Sequence, residues 1–299
     1  MAQCQKQIQE IQSRIQEVHG RIQKLRQAHQ SDPDYETYEA YHSNGIDLAR
    51  LTYSEMRRLR SDLQLIFQDP YSSLNPKMTV GQIIGEGMLA HKFFRRNDDR
   101  MKEEIIRVMD ECGLAPYFLH RYPHQFSGGQ RQRVSIAVAL IQRPRFLIAD
   151  EPVSALDVTI QAQILELMED IRAKKNTGIL MITHDLGVVA EMCSRVVVMY
   201  AGRIVEEAPV QELFADPKHP YTQGLIGSVP KLGSGVESLP SIPGSVPDLS
   251  VMPKGCKFAP RCKYAMDICH QQEPELADIN EAGTRKCRCH LLNKTGKEA

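Results

Sequence analysis

The sequence predicts an α/β protein built on a parallel sheet, with an amphipathic helix at its front and an irregular cysteine-bearing segment at its end. Three observations carry this. "FLIAD" at 146–150 and "GILMIT" at 178–183 are short, continuously apolar runs, the composition of parallel strands buried on both faces. Residues 158–175 between them have helical spacing, which gives a strand–helix–strand order. Ser127, Gly128 and Gly129 stand directly before a run that reads as a helix, an arrangement suited to gripping phosphate.

Taken in order, the chain begins with Ile8, Ile11, Ile15, Val18, Ile22 and Leu25, spaced alternately three and four apart. That spacing puts one apolar stripe on a helix otherwise made of Gln, Glu, Lys and Arg, the pattern of a helical hairpin arm or short coiled coil. Gly20 weakens this helix modestly. "QSDPDYETYEAYHSNG" reads as a polar connection with turn signals. "LQLIF" at 63–67 is a short apolar strand, and residues 98–113 have helical character. "RVVVMYAGRIVEEA" alternates about "AGR" and reads as a hairpin. After "HPYTQGLIGSVP" the chain turns rich in Pro, Gly and Ser through residue 255, a linker or irregular wrap ahead of the cysteine-bearing tail.

Composition narrows the function classes. The 299 residues suffice for one large domain plus an appendage. Formal net charge is zero, so a general electrostatic affinity for nucleic acid is not indicated. No run of about 18 apolar residues is present to span a membrane, and the polar start "MAQCQKQIQEIQ" is no signal peptide, so the cytosol is the expected compartment.

The chemistry-bearing residues come in one order. Gln68 follows "LIF" and precedes "DP", placed to ligate magnesium, position water or cap a turn. Ser127 can cap a helix starting near Gln130, and Gly128 and Gly129 let backbone N–H groups approach an anion without a Cβ in the way. "FLIADEP" delivers Asp150 to the carboxyl end of a strand, where α/β proteins bind ligands. Asp150 suits a magnesium ion, and Glu151 suits polarising a water that attacks phosphorus. Asp157, closing "SALD", opens the next helix as an N-cap or joins the site, and His184 in "THD" is placed to bond a terminal phosphate or to serve the fold.

That order, Gln68, "SGGQ", "ADEP", "SALD", His184, resembles the ATP-binding subunit of an ABC transporter. "FSGGQ" is similar to the signature motif, "FLIADE" to the Walker B strand and catalytic glutamate, "SALD" to the D-loop, and His184 to the switch histidine. "FQDPYSSLNPKMTVGQII" resembles the glutamine loop of oligopeptide and dipeptide importers, and "HPYTQGL", "PSIPGSVPDL" and "GCKFAPRC" resemble that subgroup's C-terminal extension. The resemblance spans roughly residues 44–292 and implies a partial ABC-type ATPase domain at 44–215, with a helical subdomain at about 80–143. Residues 1–43 then form the coiled-coil insertion and connector, and 216–299 the extension. It further implies ATP and Mg2+ as ligands, Glu151, His184 and Gln68 as catalytic residues, and Asp150 and Gln68 on the metal. Ser127, Gly128, Gly129, Gln130 and Asp157 would contact nucleotide. The implied partners are a second ABC ATPase subunit, two membrane permeases and, indirectly, an extracellular peptide-binding protein, at the cytoplasmic face of the membrane. Nucleic acid is not among them.

One family element is missing from these 299 residues: no G-x-x-x-x-G-K-[ST] occurs, and the lone Gly296–Lys297 follows no strand. "NGIDLARLTYSEMRRLR" resembles the family's segment between the phosphate and glutamine loops, so the sequence is expected to start inside a helical insertion there. Without the phosphate-loop lysine and backbone nest, weak or no ATP binding by the chain alone is expected. The "SGGQ" motif is expected to remain able to complete a partner's site. Exposed sheet edges and core are a further expectation.

Of eight cysteines, Cys256, Cys262, Cys269, Cys287 and Cys289 lie after position 255. Cys256, Cys262, Cys269 and Cys289 are separated by five, six and nineteen residues, which is not the paired spacing of structural zinc. Importer subunits that this tail resembles can hold a [4Fe–4S] cluster through four such cysteines, the last in a "CHL" ending; here that is Cys289 and not Cys287. Reduced, metal-free structural cysteines are the alternative. For the whole chain, a non-catalytic regulatory remnant and a fragment of an ABC-type chromosome or DNA-repair ATPase remain as alternative readings.

Overall fold

The structure, a computed structural model, describes residues 2–32, 35, 46–95, 98–154, 156–229, 241–248 and 250–293. The chain divides into two compact units, Met1–Met56 and Arg57–Ala299. In the first, α1 runs unbroken over Ala2–His29, through Gly20, and closes with Arg26 and His29 in its last turn, the favourable end of the helix dipole for cations. Val18, Ile22 and Leu25 of the expected stripe are exposed. The side chains of Ile8, Ile11 and Ile15 lie outside the described residues, as does most of the connection at 30–45.

Helix α2 (Tyr53–Asp62) leads into the parallel sheet of the second unit. Strands β1 (Leu63–Ile66), β2 (Phe146–Asp150) and β3 (Gly178–Ile182) lie side by side in chain order, with Leu63 opposite Phe146 and Phe146 opposite Gly178. Between β1 and β2 come α3 (Val80–Ala90), α4 (Asp99–Glu111) and α5 (Gly128–Leu140); α6 (Val158–Lys175) crosses from β2 to β3. These helices start where the sequence supplies an oxygen acceptor for the orphan N–H groups. Thr79 and Gln82 form a capping box on α3, Asp98 caps α4, Ser127 and Gln130 form a box on α5, and Asp157 caps α6. Asn176 ends α6 in the left-handed conformation, φ 51°.

The expectation of strands buried on both faces is corrected. Ile66, Leu147 and Ala149 are buried, Ile179 and Met181 pack beside them, and the same cluster takes Val134, Ile136 and Leu140 from α5 and Ile164, Met168 and Ile171 from α6. The alternate residues on the opposite face are open: Leu65, Phe146, Leu180 and Ile182 are each at least 40% exposed. Side chains alternate across a strand, so this is one whole face of the sheet. The physical reason is that all the covering helices among the described residues pack on the other side, and apolar composition alone does not supply a cover.

The expected hairpin is β4 (Arg195–Tyr200) with β5 (Arg203–Pro209), joined at Ala201 and Gly202, φ 47° and 75°. Two positive φ values in a two-residue loop are the turn whose twist suits a hairpin. Helix α7 (Leu186–Met192) precedes it, α8 (Val210–Ala215) packs on both its strands, α9 (Pro220–Gly227) adds Tyr221 and Leu225 to its core, and α10 (Asp267–Gln271) follows in the tail. The cysteine tail then adds β6 (Ala277–Asp278) and β7 (Lys286–Cys287) before α11 (His290–Asn293). The resulting antiparallel sheet has the order β4-β5-β7-β6, so the C-terminal extension is stitched directly onto the hairpin. A second core forms there from Val198, Tyr200, Val205, Ala208, Leu213 and Phe258. Tyr200 and Phe258 meet edge-on at 5.2 Å between ring centres.

Candidate functional site

The parallel topology places the carboxyl ends of β1, β2 and β3 together, and the residues just beyond them converge. Gln68 Nε2 donates to Glu151 Oε2 at 2.9 Å, and His184 Nδ1 lies 3.1 Å from Glu151 Oε1. Glu151 thus sits between a residue beyond β1 and one beyond β3. The Glu151 backbone N–H donates to the Ile182 carbonyl at 2.8 Å, and its φ is +44°, a left-handed conformation uncommon for a residue with a Cβ. The hydrogen bond from His184 is the largest influence holding the Glu151 carboxyl below its usual range, with Ser154 and Gln68 adding to it. The residue is therefore an ionised acceptor near neutral pH, able to orient a water. His184 is well exposed.

Asp150 ends β2 opposite Ile182, on the open side of the sheet. Its carboxylate and the Gln68 amide oxygen, whose partner nitrogen is committed to Glu151, are a hard-oxygen donor set that suits Mg2+.

The signature residues lie at another helix end and are not bonded to that cluster. Ser127 Oγ accepts from Gln130 N–H at 3.3 Å while Gln130 Oε1 accepts from Ser127 N–H at 3.1 Å, so Gln130 is occupied as a cap. α5 begins at Gly128, two residues earlier than expected. Ser127 and Gly128 are exposed, whereas Gly129 is buried. A Cβ on Gly129 would come within 2.4 Å of the Ile160 side chain, so glycine there permits close packing of α5 on α6. Asp157 accepts from Ile160 N–H at 3.0 Å as the cap of α6, the simpler of its two readings.

Sequence reading passed over Arg131 and Tyr71. The Arg131 guanidinium lies 4.9 Å from the centre of the Tyr71 ring and donates to the Pro123 carbonyl at 3.0 Å, tying the segment after Gln68 to the start of α5. An arginine one position past "SGGQ" was the available signal.

In the tail, Cys256, Cys262, Cys269 and Cys289 line one cavity. Cys287 is buried elsewhere, in β7 beside β5, which supports choosing Cys289. Burial raises the Cys256 and Cys262 thiols and pushes Cys289 up to about 11. Among the described residues no three His, Cys, Asp or Glu side chains converge on a single metal ion.

A parallel sheet with these residues at its carboxyl end, and a serine-capped signature helix that opens on two glycines, defines an ABC-type ATPase. Residues 35–154 match the ABC transporter family, and residues 205–269 match the oligopeptide/dipeptide transporter C-terminal region. The chain is 46% identical over 253 residues to the oligopeptide transport ATP-binding protein AppD of Bacillus subtilis, covering 84% of this chain and 76% of AppD. It is 47% identical over 247 residues to the oligopeptide transport ATP-binding protein OppD of Salmonella typhimurium, covering 82% and 73%. Among solved structures, cbiO1 from Clostridium perfringens, part of the ABC transporter complex cbiONQ, superposes with a TM-score of 0.50 at 27% identity, covering 55% of this chain and 64% of cbiO1. The MJ0796 ABC transporter cassette superposes with a TM-score of 0.50 at 25% identity, covering 56% and 72%. The chain belongs to the family of ABC transporter ATP-binding subunits, in its oligopeptide/dipeptide group.

Proposed function

We propose that this chain works as the ATP-binding subunit of a peptide importer. The observation that carries the ATPase reading is Glu151, fixed between Gln68 and His184 beyond three parallel strands. In this reading Glu151 orients the attacking water, His184 steadies Glu151 and faces the terminal phosphate, and Gln68 links the site to the segment "DPYSSLNPKMTV", through which closure reaches the permeases. Asp150 and Gln68 would hold Mg2+, which neutralises charge on the transferring phosphoryl group. No helix among the described residues is long and apolar enough to cross a membrane, which fits peripheral attachment to permeases at the cytoplasmic face.

These 299 residues include no phosphate-loop lysine, and the exposed Ser127 and Gly128 would complete the site of a second ABC ATPase subunit. The proposed division is 1–43 as a coiled-coil insertion and connector, 44–215 as the ATPase domain and 216–299 as the extension. Within the extension, Cys256, Cys262, Cys269 and Cys289 would hold a [4Fe–4S] cluster, a reading supported by all four lining one cavity.

The test mixes the chain with a partner subunit that carries its own phosphate loop and with both permeases in vesicles. Peptide-dependent ATP hydrolysis is expected, abolished by Gly128→Asp and largely kept by Glu151→Gln, since the working site borrows only the signature. Abolition by Glu151→Gln with no effect of Gly128→Asp would reverse that assignment. Micromolar ATP affinity of the isolated chain would also contradict it.

A further inference from the structure

The segment after Gln68 is held at both of its ends by residues around the start of α5. Gln68 is bonded to Glu151, and the chain then turns at Asp69, whose carboxylate accepts from the Tyr71 N–H at 2.8 Å. That turn sets the Tyr71 ring beneath Arg131 of α5, with 4.9 Å from the guanidinium carbon to the ring centre. Tyr71 is 67% exposed and belongs to neither apolar core, so core packing does not account for its position. Arg131 is occupied on a second side, where Nε donates to the Pro123 carbonyl at 3.0 Å, in the loop that leads to Ser127. The Asp69 carboxyl is held below its usual range, chiefly by the Tyr71 N–H, and the Arg131 charge adds to this. At the far end of the segment Thr79 caps α3, and the Val80 N–H donates to the Arg121 carbonyl at 2.9 Å. The Arg121 guanidinium lies 4.9 Å from the centre of the Phe118 ring, and Phe118 meets Phe126, the neighbour of Ser127, edge-on at 5.0 Å. The far attachment is a backbone bond beside packed rings, whereas the near one is a single exposed ring against a single side chain.

We propose that Tyr71 is a positioning residue for the signature motif: stacked on Arg131, it makes the segment after Gln68 and the start of α5 shift together, so that Ser127 and Gly128 are presented to a second subunit in step with that segment. The proposal rests on the reading given above, in which the segment meets the permeases and the signature completes a partner's site. An arginine lies flat on an aromatic face and keeps N–H groups for other acceptors, which lets one side chain hold both Tyr71 and the Pro123 carbonyl. The contact uses the ring face of Tyr71, which phenylalanine would keep and leucine would lose. Coupling between two elements is demonstrated by non-additive substitutions and not by adjacency, and this sets the form of the test.

The test uses the full chain assembled with a partner subunit that carries its own phosphate loop and with both permeases in vesicles. Tyr71→Leu is expected to lower kcat for peptide-dependent ATP hydrolysis about two- to fivefold, the range of one exposed cation–π contact, with KM for ATP unchanged. Tyr71→Phe should restore the parent kcat, and Tyr71→Leu should have no further effect in an Arg131→Gln background. A parental kcat in Tyr71→Leu, or full additivity with Arg131→Gln, overturns the proposal and leaves the ATPase reading intact. Absence of peptide-dependent hydrolysis in the parent assembly sinks the importer reading, and the role of Tyr71 with it. A second readout needs no hydrolysis. In the full chain alone, Tyr71→Leu should speed amide exchange both at 69–73 and at 127–131 while the amides of α6 keep their rates, and Tyr71→Phe should leave all three as they are. Faster exchange at 69–73 alone shows that the ring does not hold α5 and overturns the proposal, whatever the assembly does.

Discussion

On one face of the parallel sheet, Leu65, Phe146, Leu180 and Ile182 stand exposed, apolar though they are, while at the seam between the β4–β5 hairpin and the C-terminal extension Glu206 is fully covered and Arg285 nearly so. The two regions invert the usual placement of greasy and charged groups, and the inversion has a physical reading. At that seam Glu206 takes two backbone N–H groups, and Arg285 Nη2 lies 3.5 Å from Glu206 and donates to the Asp216 carbonyl at 2.7 Å. The sheet has no such closure: all-parallel sheets ordinarily have both faces covered, and among the described residues this one has helices on one. Asp150 lies on the same open side, paired with Ile182. The open sheet face presents apolar side chains to solvent, whereas the seam between hairpin and extension buries charged side chains that hold partners.

The largest expected effect tests the seam. Glu206→Ala removes the acceptor of two backbone N–H groups and leaves Arg285 without its buried counter-ion. Breaking a buried pair from one side costs about 3–5 kcal/mol. Chemical denaturation should show that loss, together with increased protease sensitivity at 216–293. A loss under about 1 kcal/mol would mean the network is slack and the contrast between the regions overstated.

The sheet offers an internal control of nearly the same size. Leu147 is fully buried and Leu180 is 47% exposed, on neighbouring strands but opposite faces. Leu147→Ala should cost about 2–5 kcal/mol, whereas Leu180→Ser should stay within about 0.5 kcal/mol and reduce aggregation. Equal destabilisation by both would show that something covers the open face in solution.

How much of this was legible in the sequence follows the same division. "FLIAD" and "GILMI" became strands over 146–150 and 178–182, and Ser127 and Asp157 became caps, since these depend on neighbours in sequence. Gln68, Glu151 and His184 were readable as a site because each follows an apolar run, and parallel pairing then brings the three run ends together. Composition alone pointed to covered strands at Leu65, Leu180 and Ile182, whereas the expectation of exposed core, drawn from the absent phosphate-loop motif, anticipated the open face. Gly129 was read as room for an anion, yet it answers to Ile160, thirty-one positions away. Glu206 and Arg285 are 79 residues apart, beyond any local spacing rule.

A smaller effect, about 3 kcal/mol, separates the regions by pH. His219 titrates near 6.5 in the unfolded chain and at about 4 when folded, because burial disfavours its charged form. Between those values the unfolded state binds the extra proton, so stability is full above about 6.5 and falls as pH drops toward 4. In metal-free protein the extension should loosen in that window, visible as faster amide exchange at 219–227, and His219→Gln should remove that pH dependence. Parallel loosening of the sheet would break the comparison.

The smallest effect concerns Glu151. Its carboxyl is held low chiefly by the hydrogen bond from His184, and both groups are solvent-accessible, so little global stability is at stake. A depressed carboxylate keeps its contacts above the unfolded pKa and loses them as pH falls through the folded value. His184→Ala should therefore move the Glu151 titration, followed by 13C carboxyl shifts, upward toward the ordinary carboxylate range while denaturation midpoints stay put. If the titration does not move, the 3.1 Å contact with His184 is not what depresses Glu151. Gln68 and Ser154 would then have to hold the carboxylate alone, and the reading of β3 as a contributor to the site would lose its chemical basis.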